Sequence, residues 1–147
     1  MDKAIIDEKL ESLRRCVHRI EEKRPASVAQ LKDDPDLQDI ISLNLTRAVQ
    51  VAVDIATHIL ANSDEPAPES MGQTFRQLAE GGMIPNEVAA RMIAAVGFRN
   101  VAVHSYRQID WDIVHTICHD QLDDFRAFAR HVIDFLEEAA SSGADPL

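Results

Sequence analysis

Residues 36–62 read DLQDIISLNLTRAVQVAVDIATHILAN, and this stretch decides the fold. Its apolar side chains recur every three or four positions, which is the period of one buried face of an α-helix. The residues predicted to point inward are Leu37, Ile40, Ile41, Ala48, Val51, Ile55 and Ile59. Polar residues, among them Asp54 and His58, lie close to that apolar stripe. The stretch therefore predicts one long amphipathic helix from Asp36 to Asn62.

The segment before this helix carries the same period. Apolar residues at spacings of four, three, four and three predict a helix from about residue 2 to 24. Those residues are Ile6, Leu10, Leu13, Val17 and Ile20. The connector between Pro25 and Pro35 has the composition of a link with one helical turn.

The segment after residues 36–62 predicts three further helices. A short one covers Met71–Glu80 and stops at Gly81-Gly82, and the next begins with Pro85 in its first turn. The last opens near Asp110 and extends to about Ala140. Its predicted apolar face consists of Ile113, Ile117, Phe125, Phe128, Val132 and Phe135.

The chain as a whole is predicted to be all-α, a bundle of four to five helices, because no stretch alternates with the period of a strand. Its 147 residues predict a single domain over residues 1–140, with a flexible tail over residues 141–147. No apolar run reaches the ~18 residues that a membrane span needs, so we expect no membrane association. Cys16 and Cys118 lie far apart in the sequence, which favours a reduced, cytoplasmic protein.

Charge is distributed unevenly along the chain. The formal net charge is −10, which argues against DNA as a partner. The segment 71–107 is the exception, because its basic residues outnumber Glu80 and Glu87. These basic residues are all arginines, namely Arg76, Arg91, Arg99 and Arg107. Since arginine suits bidentate phosphate contact, the sequence predicts a local anion site inside an acidic protein.

The segment RNVAVHSY, residues 99–106, gathers four polar side chains of the kind that catalyse reactions. We expect it to lie between two helices, just after Gly97. Arg99 offers a forked cation for a phosphate, and His104 exchanges a proton near neutral pH. Asn100 can orient a neighbour by hydrogen bonding, and Tyr106 offers a hydroxyl and a stacking surface. The structural alternative is that Arg99 pairs with a carboxylate and His104 caps a helix.

This segment resembles the motif of HEPN-domain ribonuclease toxins of the HepT-like subgroup. The motif is an arginine beside a polar residue, then a histidine, any residue and a tyrosine. The flanking sequence is also similar to that family, over NLTRAVQVAVDIATHIL (44–60), the block from Ser70 to Asp110, and DDFRAFARHVIDFL (123–136). The similarity covers about two-thirds of the chain.

The resemblance implies a HEPN-type bundle and a metal-independent ribonuclease without a cofactor. Its substrate is RNA, and it acts as a homodimer with a composite active site. Carried over by position, Arg99 and His104 are catalytic and Asn100 assists. The arginine-rich segment 71–107 is then the expected RNA site, with Arg76, Arg91 and Arg107 as candidate RNA-binding residues. The family's partner is a minimal nucleotidyltransferase antitoxin, which silences the toxin by transferring AMP from ATP to the motif tyrosine, here Tyr106. The alternative function is a non-catalytic helical scaffold for a nucleotidyltransferase, with the motif as its interface.

Geometry sets a condition on this site. On a continuous helix with 3.6 residues per turn, side chains five positions apart point about 140° away from each other. Arg99 and His104 therefore converge only if the helix breaks between them or if a second protomer supplies one of them.

Other polar clusters have simpler interpretations. His115 and His119 share a helix face, but a second ligand cluster is missing, so we expect a surface pair and no metal. Asp54 and His58 also share a face, where a structural role is favoured over a place near the motif. Cys16 lacks an activating neighbour, so a buried or idle thiol is favoured over a nucleophile. Trp111 is expected to anchor the start of the last helix.

Overall fold

Seven α-helices form the part of the chain that this computed structural model describes, residues 2–141. They are α1 (Lys3–Lys23), α2 (Val28–Asp33), α3 (Pro35–Ala61), α4 (Met71–Glu80), α5 (Asn86–His104), α6 (Trp111–Thr116) and α7 (Leu122–Ser141). A 3₁₀ turn at Tyr106–Gln108 follows α5, and a π-helical turn at Ile117–Gln121 joins α6 to α7. The described residues contain no strand, and five of the helices have ten residues or more. The predicted all-α bundle is confirmed.

Side-chain caps set where several helices begin. The Ser27 hydroxyl accepts from the Gln30 amide while the Gln30 side chain accepts in return, a capping box that starts α2. Asp34 caps α3, whose first residue is Pro35. Gly82, which follows α4, has a φ of 75°, a left-handed conformation that favours glycine.

The core is built around α3, which packs most extensively against α1. Helix α7 closes the bundle, and the rings of Phe75 and Phe128 meet edge to face at 5.5 Å between centroids, joining α4 to α7. Within the described residues, α3 is also the one helix long and apolar enough to cross a membrane. Because 56% of its most apolar stretch is buried inside the bundle, it behaves as a core helix.

The last predicted helix differs from the prediction in three respects. The π-helical turn interrupts the helix. Within this turn the Cys118 carbonyl accepts a hydrogen bond from Arg24 Nη1, outside the helix, at 2.8 Å. Ile113 is 56% exposed, because α6 buries the adjacent Val114 and so turns Ile113 outward. The helix ends at Ser141, and the remainder of the predicted flexible tail, 142–147, lies outside the described residues.

Candidate functional site

The motif lies at the C-terminal end of α5. Residues 99–104 are helical, so the prediction that the whole segment falls between two helices is wrong. Gly97 is accommodated within the helix, and the chain leaves helical geometry only at Ser105, with φ −146° and ψ 50°. The Ser105 amide still donates to the Val101 carbonyl at 2.8 Å. Of the motif, Ser105 and Tyr106 therefore lie beyond the helix end, and Tyr106 begins the 3₁₀ turn.

Arg99 and His104 do not converge within one protomer. They lie on an unbroken helix five residues apart, so their side chains leave the axis in directions about 140° apart. Arg99 is half-buried and donates from Nη1 to Asn100 Oδ1 at 3.2 Å. His104 is exposed. The helix break that would have joined them is absent from α5.

Neither of the structural roles considered for this pair is observed. Within residues 2–141, Arg99 forms no ion pair with a carboxylate, and its buried Nε has no hydrogen-bond partner. The residue that caps α5 is Ser105, through its main chain, and the His104 side chain takes no part. Both groups are therefore available for a ligand, with Asn100 orienting the guanidinium.

Tyr106 is held against a different helix. Its hydroxyl donates to Asp39 Oδ1 of α3 at 2.6 Å, and its ring meets Trp111 edge to face at 6.1 Å. The ring is 40% exposed. Partial burial raises the pKa of Tyr106, and the bond to the Asp39 carboxylate raises it further. Trp111, the first residue of α6, packs on the core as the predicted anchor.

Asp39 is the residue at this site that sequence reasoning missed. It lies 67 positions before Tyr106, and no local pattern links the two. An acidic residue near the start of a long helix is ordinary in sequence, so only the tertiary structure reveals the pair.

The predicted RNA-binding arginines differ in availability. Arg76 and Arg107 are exposed, whereas Arg91 forms an ion pair with Asp124 at 3.5 Å. Burial raises the pKa of Asp124, and Arg91 opposes that effect by favouring the carboxylate. Arg91 is thus already partly neutralised, and Arg107 is the extra cation next to the motif tyrosine.

A cleft of about 800 Å³ runs beside α5, on the side of Gly97 and Val101. Apolar side chains from several helices line it, including Leu45, Val49, Met92, Phe98 and Phe125. Its remaining wall carries four acidic residues, Asp110, Asp120, Asp123 and Asp124. This cleft is not predictable from local sequence patterns, because its walls come from three separate stretches of the chain.

The other clusters have structural partners. The rings of His115 and His119 lie 4.4 Å apart, and His119 Nε2 is 2.8 Å from the Pro25 carbonyl. No group of three or more metal-ligating side chains occurs among residues 2–141. Asp54 pairs with Lys9 of α1 at 3.6 Å, a structural contact of the kind expected, whereas the buried Nε2 of His58 has no hydrogen-bond partner among residues 2–141. Cys16 is buried, and burial raises its pKa, as expected of an idle thiol.

An all-helical bundle that presents an Arg-x4-His-x-Tyr motif at a helix end has the fold and motif expected of a HEPN-domain ribonuclease. Comparison with known proteins agrees, because the family model described as "Ribonuclease HepT-like" matches residues 6–132. The chain belongs to the HepT-like ribonuclease family.

Individual relatives extend this result. The chain is 35% identical to the mRNA nuclease HepT of Shewanella oneidensis over 124 residues, which cover 84% of this chain and 92% of that one. It is 24% identical to the tRNA nuclease HepT of Aphanizomenon flos-aquae over 136 residues, 92% of each chain. A solved structure of the tri-AMPylated Shewanella oneidensis HEPN toxin with its MNT antitoxin superposes with a TM-score of 0.84 at 33% identity. That match covers 91% of this chain and 99% of the toxin.

Proposed function

We propose that this chain is the toxin of a toxin–antitoxin pair, a ribonuclease of one domain, residues 1–140, that acts in the cytoplasm. Its substrate is RNA, and a minimal nucleotidyltransferase silences it by transferring AMP to Tyr106. Two observations together carry the proposal: the chain belongs to the family, and among residues 2–141 Arg99 has no carboxylate partner and His104 caps no helix. The relatives named as RNA nucleases support it.

The proposed composite active site requires a dimer interface, and the exposed surface of α5 is suited to form one. Because the helix is continuous, an Arg99–His104 pair requires a second protomer. The exposed side of α5 carries small and apolar residues at the four-three-four-three spacing of a helix–helix seam. The small and apolar residues are Ala90, Ala94, Gly97 and Val101, and His104 continues their spacing. Packing two copies of this seam together would place His104 of each protomer in the interface.

The chemistry proposed for that site is cleavage by the 2′-hydroxyl of the RNA. His104 removes the hydroxyl proton as the oxygen bonds to phosphorus, and the bond to the 5′-oxygen of the next nucleotide breaks. Arg99, oriented by Asn100, stabilises the charge that develops on the phosphoryl oxygens. The exposed Arg76 and Arg107 would contact other phosphates, while Arg91 is held by Asp124. No step in this scheme uses a metal ion.

Modification of Tyr106 explains the silencing. Tyr106 lies two residues after His104 and is exposed enough to be reached. An adenylyl group there adds bulk and negative charge at the position of the RNA phosphate. Like charges at close range oppose each other, so the modified site would reject its substrate.

The test is growth of cells that express this chain alone. We expect growth arrest with the wild type and none with His104→Ala or Arg99→Ala. The control is His18→Ala, because His18 is an exposed histidine on α1, paired with Glu22 at 3.3 Å and remote from the motif in sequence. It should arrest growth like the wild type. If both motif variants still arrest growth, the site is wrong. If the wild type neither arrests growth nor cleaves RNA, a scaffold role replaces the enzyme.

A further inference from the structure

The Asp39 carboxylate has one conspicuous contact, the hydroxyl of Tyr106. The two oxygens lie 2.6 Å apart, which is the distance of a strong hydrogen bond to an ionised acceptor. Asp39 is exposed on α3 and forms no salt bridge within residues 2–141. Ser42 lies one turn later on α3, and its hydroxyl donates to the Asp39 main-chain carbonyl at 3.4 Å. Helix α3 thus presents the Asp39 carboxylate to the phenol oxygen.

A tyrosine that accepts AMP must lose its proton. A phenol with a pKa near or above ~10 is almost wholly protonated at neutral pH, and the pKa of Tyr106 is raised further. The neutral phenol is a weak nucleophile towards phosphorus, so a positioned base assists the transfer. A candidate base must be within hydrogen-bond reach of the proton that it removes, and Asp39 meets that condition without any movement.

We propose that Asp39 is the general base for AMP transfer to Tyr106, so that the toxin supplies a catalytic group for its own silencing. This inference rests on the proposed function, in which Tyr106 is the acceptor. As Tyr106 Oη bonds to the α-phosphorus of ATP, the bond from that phosphorus to the bridging oxygen breaks. Pyrophosphate leaves, and the phenol proton passes to Asp39 Oδ1. An aspartate that accepts the proton of an attacking hydroxyl has a parallel in protein kinases.

The experiment measures AMP uptake by intact mass, with the full-length chain, its cognate nucleotidyltransferase, Mg²⁺ and ATP, over a range of pH. All proteins carry His104→Ala, which removes toxicity and the imidazole two residues before Tyr106. Arg107 follows Tyr106 in the same turn, and Asp110 and Asp112 flank Trp111, whose ring meets that of Tyr106. Asp110 caps α6, and Asp112 pairs with Lys32 of α2 at 3.0 Å.

Asp39→Asn keeps the shape of the side chain and removes the base. We expect the rate of AMP uptake to fall roughly 10²- to 10⁴-fold. The residual rate of the Asp39→Asn variant should rise steeply with pH, because the fraction of Tyr106 present as phenolate, which needs no base, increases. Asp39→Glu should recover part of the loss. Asp36→Asn is the matched control, since Asp36 is an exposed aspartate one turn earlier on the same helix, and it should react like the parent.

Two results would overturn the inference. One is an Asp39→Asn rate equal to that of the parent. The other is a lowered rate with the parent's pH profile, which would mean that Asp39 only positions the Tyr106 ring and does not remove its proton. Tyr106→Phe separates these from failure of the proposed function. If the parent takes up no AMP, or if Tyr106→Phe takes up as much, then Tyr106 is not the acceptor and the inference falls with the proposal.

Discussion

Substitutions of Gly97 should affect folding and dimerisation in opposite directions, because a small side chain should stabilise the fold and a large one should weaken the dimer. It lies inside α5, and a Cβ built at this position meets nothing within 4 Å. Glycine in a helix interior costs about 0.5–1 kcal/mol relative to alanine, so Gly97→Ala should stabilise the isolated chain by that amount. For a chain of this size, 1 kcal/mol corresponds to a rise in Tm of roughly 2–4 °C.

The assay is thermal unfolding by circular dichroism on the His104→Ala background, at concentrations low enough for the monomer. Gly82→Ala is the matched control, because Gly82 has a φ of 75° and an alanine there is strained by roughly 1–2 kcal/mol. The two substitutions should shift Tm in opposite directions. A fall in Tm for diluted Gly97→Ala would refute the open helical environment described for this residue.

The same position tests the seam on α5. Gly97→Leu has room in the single chain, yet it places a large side chain between two packed helices. Overpacking of this kind costs about 1–3 kcal/mol, which converts to a rise in the dimer Kd of roughly 5- to 150-fold. Sedimentation equilibrium measures the Kd, with Thr57→Leu on an exposed position of α3 as the control. An unchanged Kd for Gly97→Leu would show that α5 is not the dimer interface.

Two further predictions concern the core. Phe128→Ala should lower the free energy of unfolding by about 3–5 kcal/mol, because the ring is fully buried against Phe75. The exposed Ile133→Ala should change it by less than ~0.5 kcal/mol in the same urea titrations, and equal losses would contradict the described core. Burial raises the pKa of Cys118 to about 12. The native thiol therefore keeps a proton that the unfolded chain releases above pH ~9, and stability should fall by at most ~1.4 kcal/mol per pH unit between those values. Cys118→Val should remove that part of the loss of stability at alkaline pH. An unaltered loss would contradict the raised pKa of Cys118.

Helix boundaries were predictable because they depend on local chemistry. The apolar period of residues 36–62, the Gly81-Gly82 stop and Pro85 located three helices to within a few residues of those observed. The motif could also be recognised in the sequence, since all of its residues lie within one eight-residue segment. In each case the information lies within one or two turns of the chain.

The features that were missed depend on contacts between distant parts of the chain. The π-helical turn lies where Arg24 and Pro25, just after α1, bond to Cys118 and His119. Ile113 is exposed because the packing of α6 buries the adjacent Val114 instead. Tyr106 finds Asp39 across the bundle at 2.6 Å. No periodicity within a single segment encodes such pairs, because each partner is chosen by the packing of whole helices.

The central claim is that Arg99 of one protomer works with His104 of the other. The most direct measurement mixes purified Arg99→Ala with His104→Ala, lets the dimers exchange, and follows RNA cleavage. Random exchange makes half of the dimers mixed, and a symmetric mixed dimer keeps one intact pair of two, so we expect about a quarter of the wild-type rate. A mixture no more active than either variant alone would contradict the composite site.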